Sequence, residues 1–392
     1  MAPVRDRIAF TRIDRWLGAA GTLLAAGLAL VLWLSQAMVA PPRPRIDGSE
    51  RPTIGLAVRA APGGLRVARA SGASRTSGLR AGDRIVAIDD IESPSLDDLE
   101  SRVGTRPEGS FVRIRARRGP PGKEDGVLAE VPVAVRKVSP EDLGLRFEEV
   151  SFRNADGLVL RGWYVPAPAS AGVSAPAVAY GHGNATDRRH WLPLAAAVHD
   201  AGFAQLLFDF TGRGESDGEV ITLGLHEARD LRAALDFLAA RAEVDPLRLA
   251  LAGRSMGAVA AIYEAADDAR VKALVLDSPY ADFPALIDRA LAERHVPAFL
   301  VRRLLMAVAG WRAGYDPASV KPVEAIRRVR APMLLLHGDA DRVVPYSDAK
   351  ALERAATAPL LLVPLRGLGH DSPRPEEAED RIVAFLTRSL AR

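Results

Sequence analysis

The 392-residue chain contains no cysteine, and its seven histidines are scattered. The first absence excludes disulfides, thiolate metal sites, a cysteine nucleophile and anchoring through a lipidated cysteine. No HExxH or comparable ligand spacing occurs, so nothing in the pattern asks for a metal or another cofactor. Aromatic residues make up only 6%, and no block of Lys and Arg carries aromatics between its charges. The formal net charge is +3, a small excess spread along the chain. That distribution argues against a nucleic-acid partner. With 48% hydrophobic and 26% charged residues the composition is that of a globular protein. The length exceeds one ordinary core, so two or more domains are expected.

One stretch lacks charge altogether: Trp16 to Ala40, WLGAAGTLLAAGLALVLWLSQAMVA. Its roughly 25 residues, at 1.5 Å each, would cross a ~30 Å hydrocarbon core. Arg5, Arg7, Arg12 and Arg15 precede it, and Trp16 and Trp33 lie toward its ends. The positive-inside rule then puts residues 1–15 in the cytoplasm and the rest outside, in the periplasm of a bacterium. A cleaved signal peptide is the competing reading. The run is long for one, and no A-x-A pattern stands before Pro41. A single-pass anchor with the lipid bilayer as partner is therefore expected over 16–40, followed by a proline-rich, semi-stiff spacer over 41–49.

Residues 50–138 read as short strands, glycine turns and one helix. GLRVARA, DRIVAID, GSFVRIRARRG and VLAEVPVAV have strand character, with apolar or β-branched residues at alternate positions. Ser95 to Val103 is helix-like, with Ser95 as cap and Asp97 and Asp98 in the first turn. Through TIGLAV, SGLRAGDRIVAIDD and the helix after them, this stretch resembles a bacterial PDZ domain. The resemblance implies a C-terminal peptide added as a strand, its carboxylate captured by backbone amides near Gly55, Leu56 and Ala57. The family commonly has glycine at the third of these positions. The alternative is a domain that only packs on its neighbour.

The pattern changes after the polar hinge KVSPEDLG. From 145 to 392, apolar runs alternate with helix-period segments such as Leu225–Ala242. A hairpin is expected to turn at Asn154–Gly157. APAVAYGHGN, AQLLFDFTGRG, LRLALAGRS, KALVLDSPY, PMLLLHGDAD and PLLLVPLRG are too continuously apolar for half-exposed strands. Together they predict an α/β fold, a mostly parallel sheet covered by helices on both faces. Sites in such sheets lie at the carboxyl ends of strands. The residues just past these runs are His182-Gly183-Asn184, Asp209, Ser255, Asp277, Asp341 and His370.

Gly253-Arg254-Ser255-Met256-Gly257 is a G-x-S-x-G between a strand and a helix, the context of a nucleophile elbow. Serine needs a base and the base needs an orienting carboxylate. His370 and Asp341 follow in the order expected of this architecture, with Asp339 the rival acid. His190, His199, His226 and His295 sit in helix or lid patterns, and His182 and His337 read as structural. Met256, through its amide, and Asn184, through backbone or side chain, are expected to hold an oxyanion. TGRGESDG reads as a structural turn, not a phosphate loop.

On YGHGN, DFTGRGESDG, GRSMG, DPASVKPVEAI and HGDADRVVP, residues 145–392 resemble the α/β-hydrolase superfamily. These motifs look like the branch that holds dipeptidyl-peptidase-like, acyl-ester and acyl-thioester hydrolases. The resemblance implies a triad of Ser255, His370 and Asp341 acting without a cofactor, most simply on an acyl ester. No acidic cluster stands out that would clamp a substrate amine. A peptidase fed by the PDZ-like domain, and a non-catalytic membrane-anchored interaction protein, are the alternatives. Residues 281–330 read as a lid, within which Ala298–Trp311 could line an acyl pocket, dip into a membrane surface or pack on the core.

Overall fold

A computed structural model describes residues 31–391, apart from 33, 37, 41–49, 54–55, 71–73, 75–76, 105–109, 119–124, 133, 138, 170–173 and 185. Most of the uncharged run Trp16–Ala40 therefore lies outside the described residues, as does Gly55. Where described, residues 31–39 are helical. Among the described residues no helix is long and apolar enough to cross a membrane.

The first unit is antiparallel. It contains β1 (Glu50–Thr53), β2 (Leu56–Ala61), β3 (Gly64–Ala70), β4 (Arg84–Ile88), β5 (Ile91–Glu92), α1 (Leu96–Gly104), β6 (Phe111–Arg118), β7 (Asp125–Pro132) and β8 (Ala134–Lys137). Six strands form one sheet in the order β2-β3-β4-β6-β7, with β5 beside β4, while β1 pairs with β8. β6 shows why the alternation predicted a strand: Val112, Ile114 and Ala116 are fully buried, and Arg113, Arg115 and Arg117 point to water. They pack with Leu65, Leu79, Ile85, Ile88, Leu99 and Val131. Ser95 caps α1 as expected: its Oγ accepts from the Asp98 amide at 3.2 Å, and Asp98 Oδ2 accepts from the Ser95 amide at 2.8 Å. The run VLAEVPVAV is two strands, β7 and β8, because β8 leaves β6 to pair with β1.

The second unit holds β9 (Glu148–Arg153), β10 (Val159–Val165), β11 (Ala175–Gly181), α2 (Leu192–Asp200), β12 (Ala204–Phe208), α3 (Glu227–Ala239), β13 (Val244–Arg254), α4 (Met256–Asp267), β14 (Val271–Asp277), α5 (Phe283–Glu293), α6 (Ala298–Ala313), β15 (Met333–Gly338), α7 (Tyr346–Ala355), β16 (Leu360–Leu365) and α8 (Glu376–Ser389). The sheet order is β16-β15-β14-β13-β11-β12-β10-β9. β9 and β10 form the expected hairpin, turning at Gly157 with φ 79°. β10 is antiparallel to both β9 and β12, and the remaining neighbouring pairs, from β12 to β16, are parallel. All six apolar runs are strands.

Period two divides the core into two layers. Leu249, Leu251, Leu274, Leu276 and Leu335 face α3 and α4, packing on Leu231, Leu235, Val259 and Ile262. Ala250, Ala252, Ala273, Val275, Leu334 and Leu336 face α2 and α8, packing on Val198, Ile382 and Leu386. Both faces of β11 to β15 are therefore dry, which is why those strands read as continuous apolar runs; the edge strand β16 departs from that expectation, with Leu361 51% exposed.

The approach of α4 to the sheet is set by glycine. A Cβ at Gly257 would lie 2.2 Å from the Gly181 carbonyl oxygen, and one at Gly253 would lie 2.3 Å from the Gly257 oxygen. Backbone on both sides leaves nothing to yield. Gly257→Ala is expected to cost about 1–3 kcal/mol or more by overpacking, read as a lowered urea midpoint. An unchanged midpoint would show that helix and strand can separate freely.

Candidate active site

Ser255 stands where β13 turns into α4. Its φ of 52° and ψ of −117° are rare for a residue with a side chain. Such strain costs roughly 1–3 kcal/mol and persists only where the surroundings over-determine it. Here the interlocked glycines fix both flanks, and the Ser255 amide donates to the Asp277 carbonyl at 2.7 Å. The tight turn lifts the hydroxyl out of the sheet to half-exposure.

His370 lies in the loop after β16 and reaches across the strand ends. Its Nε2 is 3.1 Å from Ser255 Oγ, and its Nδ1 is 2.7 Å from Asp341 Oδ2. Asp341 follows β15 and is buried, 6% exposed. Its other oxygen, Oδ1, accepts from the amides of Val343 and Val344, both at 2.8 Å. Burial pushes this carboxyl up, but the His370 ring and the Val344 amide outweigh it and hold it below its ordinary value. Asp341 is thus an anion at neutral pH, aimed at the far side of the ring that faces serine. The three residues predicted to work together are brought together. The rival Asp339 is exposed and accepts from the Gly367 amide at 2.6 Å, steadying the turn before His370.

Of the two residues expected around an oxyanion, Met256 directly follows Ser255, and Asn184 follows Gly183, which lies close to Ser255. Met256 is the first residue of α4, so its amide has no intrahelical acceptor. The loop carrying Asn184 runs alongside: a Cβ at Gly183 would sit 3.8 Å from that of Ser255. Asn184 Oδ1 accepts from the buried Arg213 guanidinium, which settles where that loop turns. Leu56 and Ala57 open β2, which among the described residues is an edge strand of the other sheet, paired with β3.

The remaining histidines take other roles. His182 is fully buried between the Gly183 carbonyl, 2.8 Å from Nδ1, and the Phe210 amide, which donates to Nε2 at 3.1 Å. His337 is fully buried, with Nε2 2.8 Å from the Val344 carbonyl. Burial lowers the pKa of both, so they are neutral tethers for strand-end loops. TGRGESDG is a turn wrapped around Asp209, whose Oδ2 accepts from the Glu215 amide at 3.0 Å; Gly214, at φ 46°, leaves no room for a Cβ beside that carboxylate.

Sequence reasoning passed over a set of charges behind His370. Arg374 donates to Asp277 through Nε at 2.8 Å and Nη2 at 2.6 Å, and to the Ser372 carbonyl at 2.9 Å. Arg254, the variable position before Ser255, donates to the His370 carbonyl, and its Nη1 meets His190 Nε2 at 3.0 Å. Burial and the Arg254 charge push His190 down to about 3, so it stays a neutral acceptor. Burial works against the Asp277 carboxylate, but Arg374 and Arg254 prevail and hold its pKa below the ordinary 3.8. The histidine loop is thus fastened to the end of β14 and to the serine turn itself. No spacing announces such a tie, since its members come from three distant segments.

Arg374→Leu leaves the buried Asp277 carboxylate without its closest partner. The expected loss is about 3–5 kcal/mol in urea unfolding at neutral pH. A carboxyl whose folded pKa is depressed contributes stability above its ordinary value and loses it in acid. The gap between parent and variant should therefore narrow as pH falls through the carboxylate range. A gap independent of pH would show that the ion pair is not the source.

Comparison with known proteins agrees with this architecture. A family model described as the alpha/beta hydrolase family matches residues 180–385. The uncharacterized protein Rv2307c of Mycobacterium tuberculosis is 35% identical over 244 residues, covering 62% of this chain and 79% of that protein. The uncharacterized protein YfhR of Escherichia coli K12 is 30% identical over 223 residues, covering 55% and 72%. Among solved structures, the Pyrococcus furiosus esterase Pf2001 superposes with a TM-score of 0.54 at 23% identity, over 66% of this chain and 97% of that one. Acetyl xylan esterase 1 of Thermoanaerobacterium gives 0.52 at 18% identity, over 63% and 84%. At those identities the solved structures speak for the fold. Through the model match, the relatives and the shared sheet, the chain belongs to the alpha/beta hydrolase family.

Proposed function

We propose that the protein is a serine hydrolase that cleaves an acyl ester or thioester, with Ser255 as nucleophile, His370 as general base and Asp341 as the residue that orients the base. The observation that carries this reading is the unbroken line Ser255 Oγ–His370 Nε2, 3.1 Å, and His370 Nδ1–Asp341 Oδ2, 2.7 Å, at the carboxyl ends of the strands. As Ser255 attacks the carbonyl carbon, its proton passes to His370 Nε2, and Asp341 stabilises the imidazolium. The carbonyl oxygen becomes an oxyanion held by the Met256 amide and a donor from Asn184. Its collapse expels the alcohol or thiol, which takes the proton from His370. Water, deprotonated by the same ring, then releases the acid from the acyl-enzyme. Every step is supplied by the protein's own groups.

The sequence offers no acidic cluster to hold a free amine, which favours an ester over a peptide. A peptidase reading has one observation in its favour: among the described residues β2 is a free edge of the first sheet, with α1 packed beside it. That arrangement supports peptide addition along β2, with the segment from Gly55 to Ala57 at its carboxylate end. We assign the first unit a PDZ-like role in recognising a C-terminal peptide or partner. The uncharged run Trp16–Ala40 supports a single-pass anchor, with both units on the extracytoplasmic side.

A fluorophosphonate probe is expected to label the parent, with labelling lost in Ser255→Ala. Ester turnover should fall by about 10⁴-fold in Asp341→Asn and at least as far in His370→Ala. No labelling of a folded parent would remove the hydrolase reading in favour of an interaction protein. Comparing ester and peptide turnover separates the two enzyme readings. Titration of the full chain with C-terminal peptides should give saturable binding; none at millimolar peptide would leave the first unit a packing domain.

A further inference from the structure

The helix α6, in the lid between β14 and β15, carries an exposed face that the mechanism does not use. Its inner side, Leu305, Met306 and Ala309, is buried. Its outer side holds Phe299 at 81% exposed, Leu304 at 47% and Trp311 at 83%. Phe299, Arg303, Ala307 and Trp311 follow at four-residue intervals and are all exposed, so they form one stripe. The helix has three charges, Arg302, Arg303 and Arg312, and no acidic residue; Arg302 pairs with Asp288 of α5 at 3.1 Å, while Arg303 is exposed on the stripe. An open depression of about 460 Å³ beside the helix is lined by Arg302, Arg303, Trp311 and, from the segment after α6, Tyr315 and Asp316. An aromatic at each end with cations between is the pattern of a helix lying in a membrane interface.

The chain itself indicates where the bilayer lies. The described part of residues 31–39 touches this unit: Val39 is 1% exposed, and its carbonyl accepts from the Ile221 amide at 2.7 Å. Met38 packs against the α3–α4 core, and Gln36 Oε1 accepts from Arg312, near the end of α6. This segment is continuous with the uncharged run Trp16–Ala40, and Arg312 ties α6 to it. A single-pass anchor formed by that run would hold α6 beside the bilayer surface.

We propose that the outer face of α6 lies in the headgroup region of the bilayer, with Phe299 and Trp311 inserted and Arg303 against lipid phosphates. The lid would then open onto the membrane, and an acyl substrate would enter from the lipid. This rests on the single-pass anchor proposed above.

The test uses the absence of cysteine, which makes any introduced one unique. Full-length Phe299→Cys, Trp311→Cys, Leu24→Cys and Leu247→Cys variants are labelled with an environment-sensitive fluorophore. They are reconstituted in phosphatidylcholine–phosphatidylglycerol vesicles carrying nitroxide lipids, shallow or mid-chain. Leu247 is 73% exposed near the start of β13, the end away from Ser255, and serves as the aqueous control. The expected result is loss of most emission at 299 and 311 to the shallow quencher and at 24 to the mid-chain quencher, with none at 247. Quenching at 24 alone keeps the anchor and overturns the α6 proposal. Quenching at 299 and 311 without 24 upholds the α6 contact and removes the anchor. Absence at all three overturns both.

Discussion

The contact on which the site depends is a meeting of backbones. α4 approaches β11 and β13 so closely that Gly181, Gly253 and Gly257 fill the space with main chain alone. Any side chain there would push the helix away. The strand therefore enters the helix through one cramped residue, and Ser255 takes φ 52° because both flanks are fixed. The cost of that conformation is met by the two apolar layers around it, where Leu251, Val259 and Ile262 are fully buried. In this way packing energy is converted into the position of one hydroxyl.

The histidine has no such rigid element beneath it. It sits on a loop, and loops wander unless tied. Here the ties are charges: Arg374 to Asp277, and Arg254 to the His370 carbonyl. Both lead back to the serine turn, since Asp277 also accepts the Ser255 amide through its carbonyl. A buried ion pair is a poor source of net stability but a strong source of geometry, because breaking one partner strands the other. Ser255 and His370 are thus referenced to the same strand end, β14, though they come from segments more than a hundred residues apart.

The lid and the start of the chain form a second mechanical unit. Gln36 accepts from Arg312 of α6 and Val39 from the Ile221 amide, so the segment that enters the second unit here is joined to its lid. A flexible tether would leave the orientation free. A packed segment restricts it.

Much of this was legible in the sequence. Strands buried on both faces show as continuous apolar runs, and a serine between two glycines after such a run has one geometric meaning. The order of Ser255, Asp341 and His370 follows from chain connectivity, so these residues could be named without coordinates. The alternation in β6 and the cap at Ser95 were equally local. What the sequence could not disclose was whatever depends on distant segments meeting. The division of VLAEVPVAV into β7 and β8 came from β1, a partner some eighty residues away. The pairing of Arg374 with Asp277, the neutral His190 beside Arg254 and the docking of Val39 on Ile221 have no periodicity. A local pattern records how a residue relates to water and to its own helix or strand; only the folded chain brings together charges that share no segment.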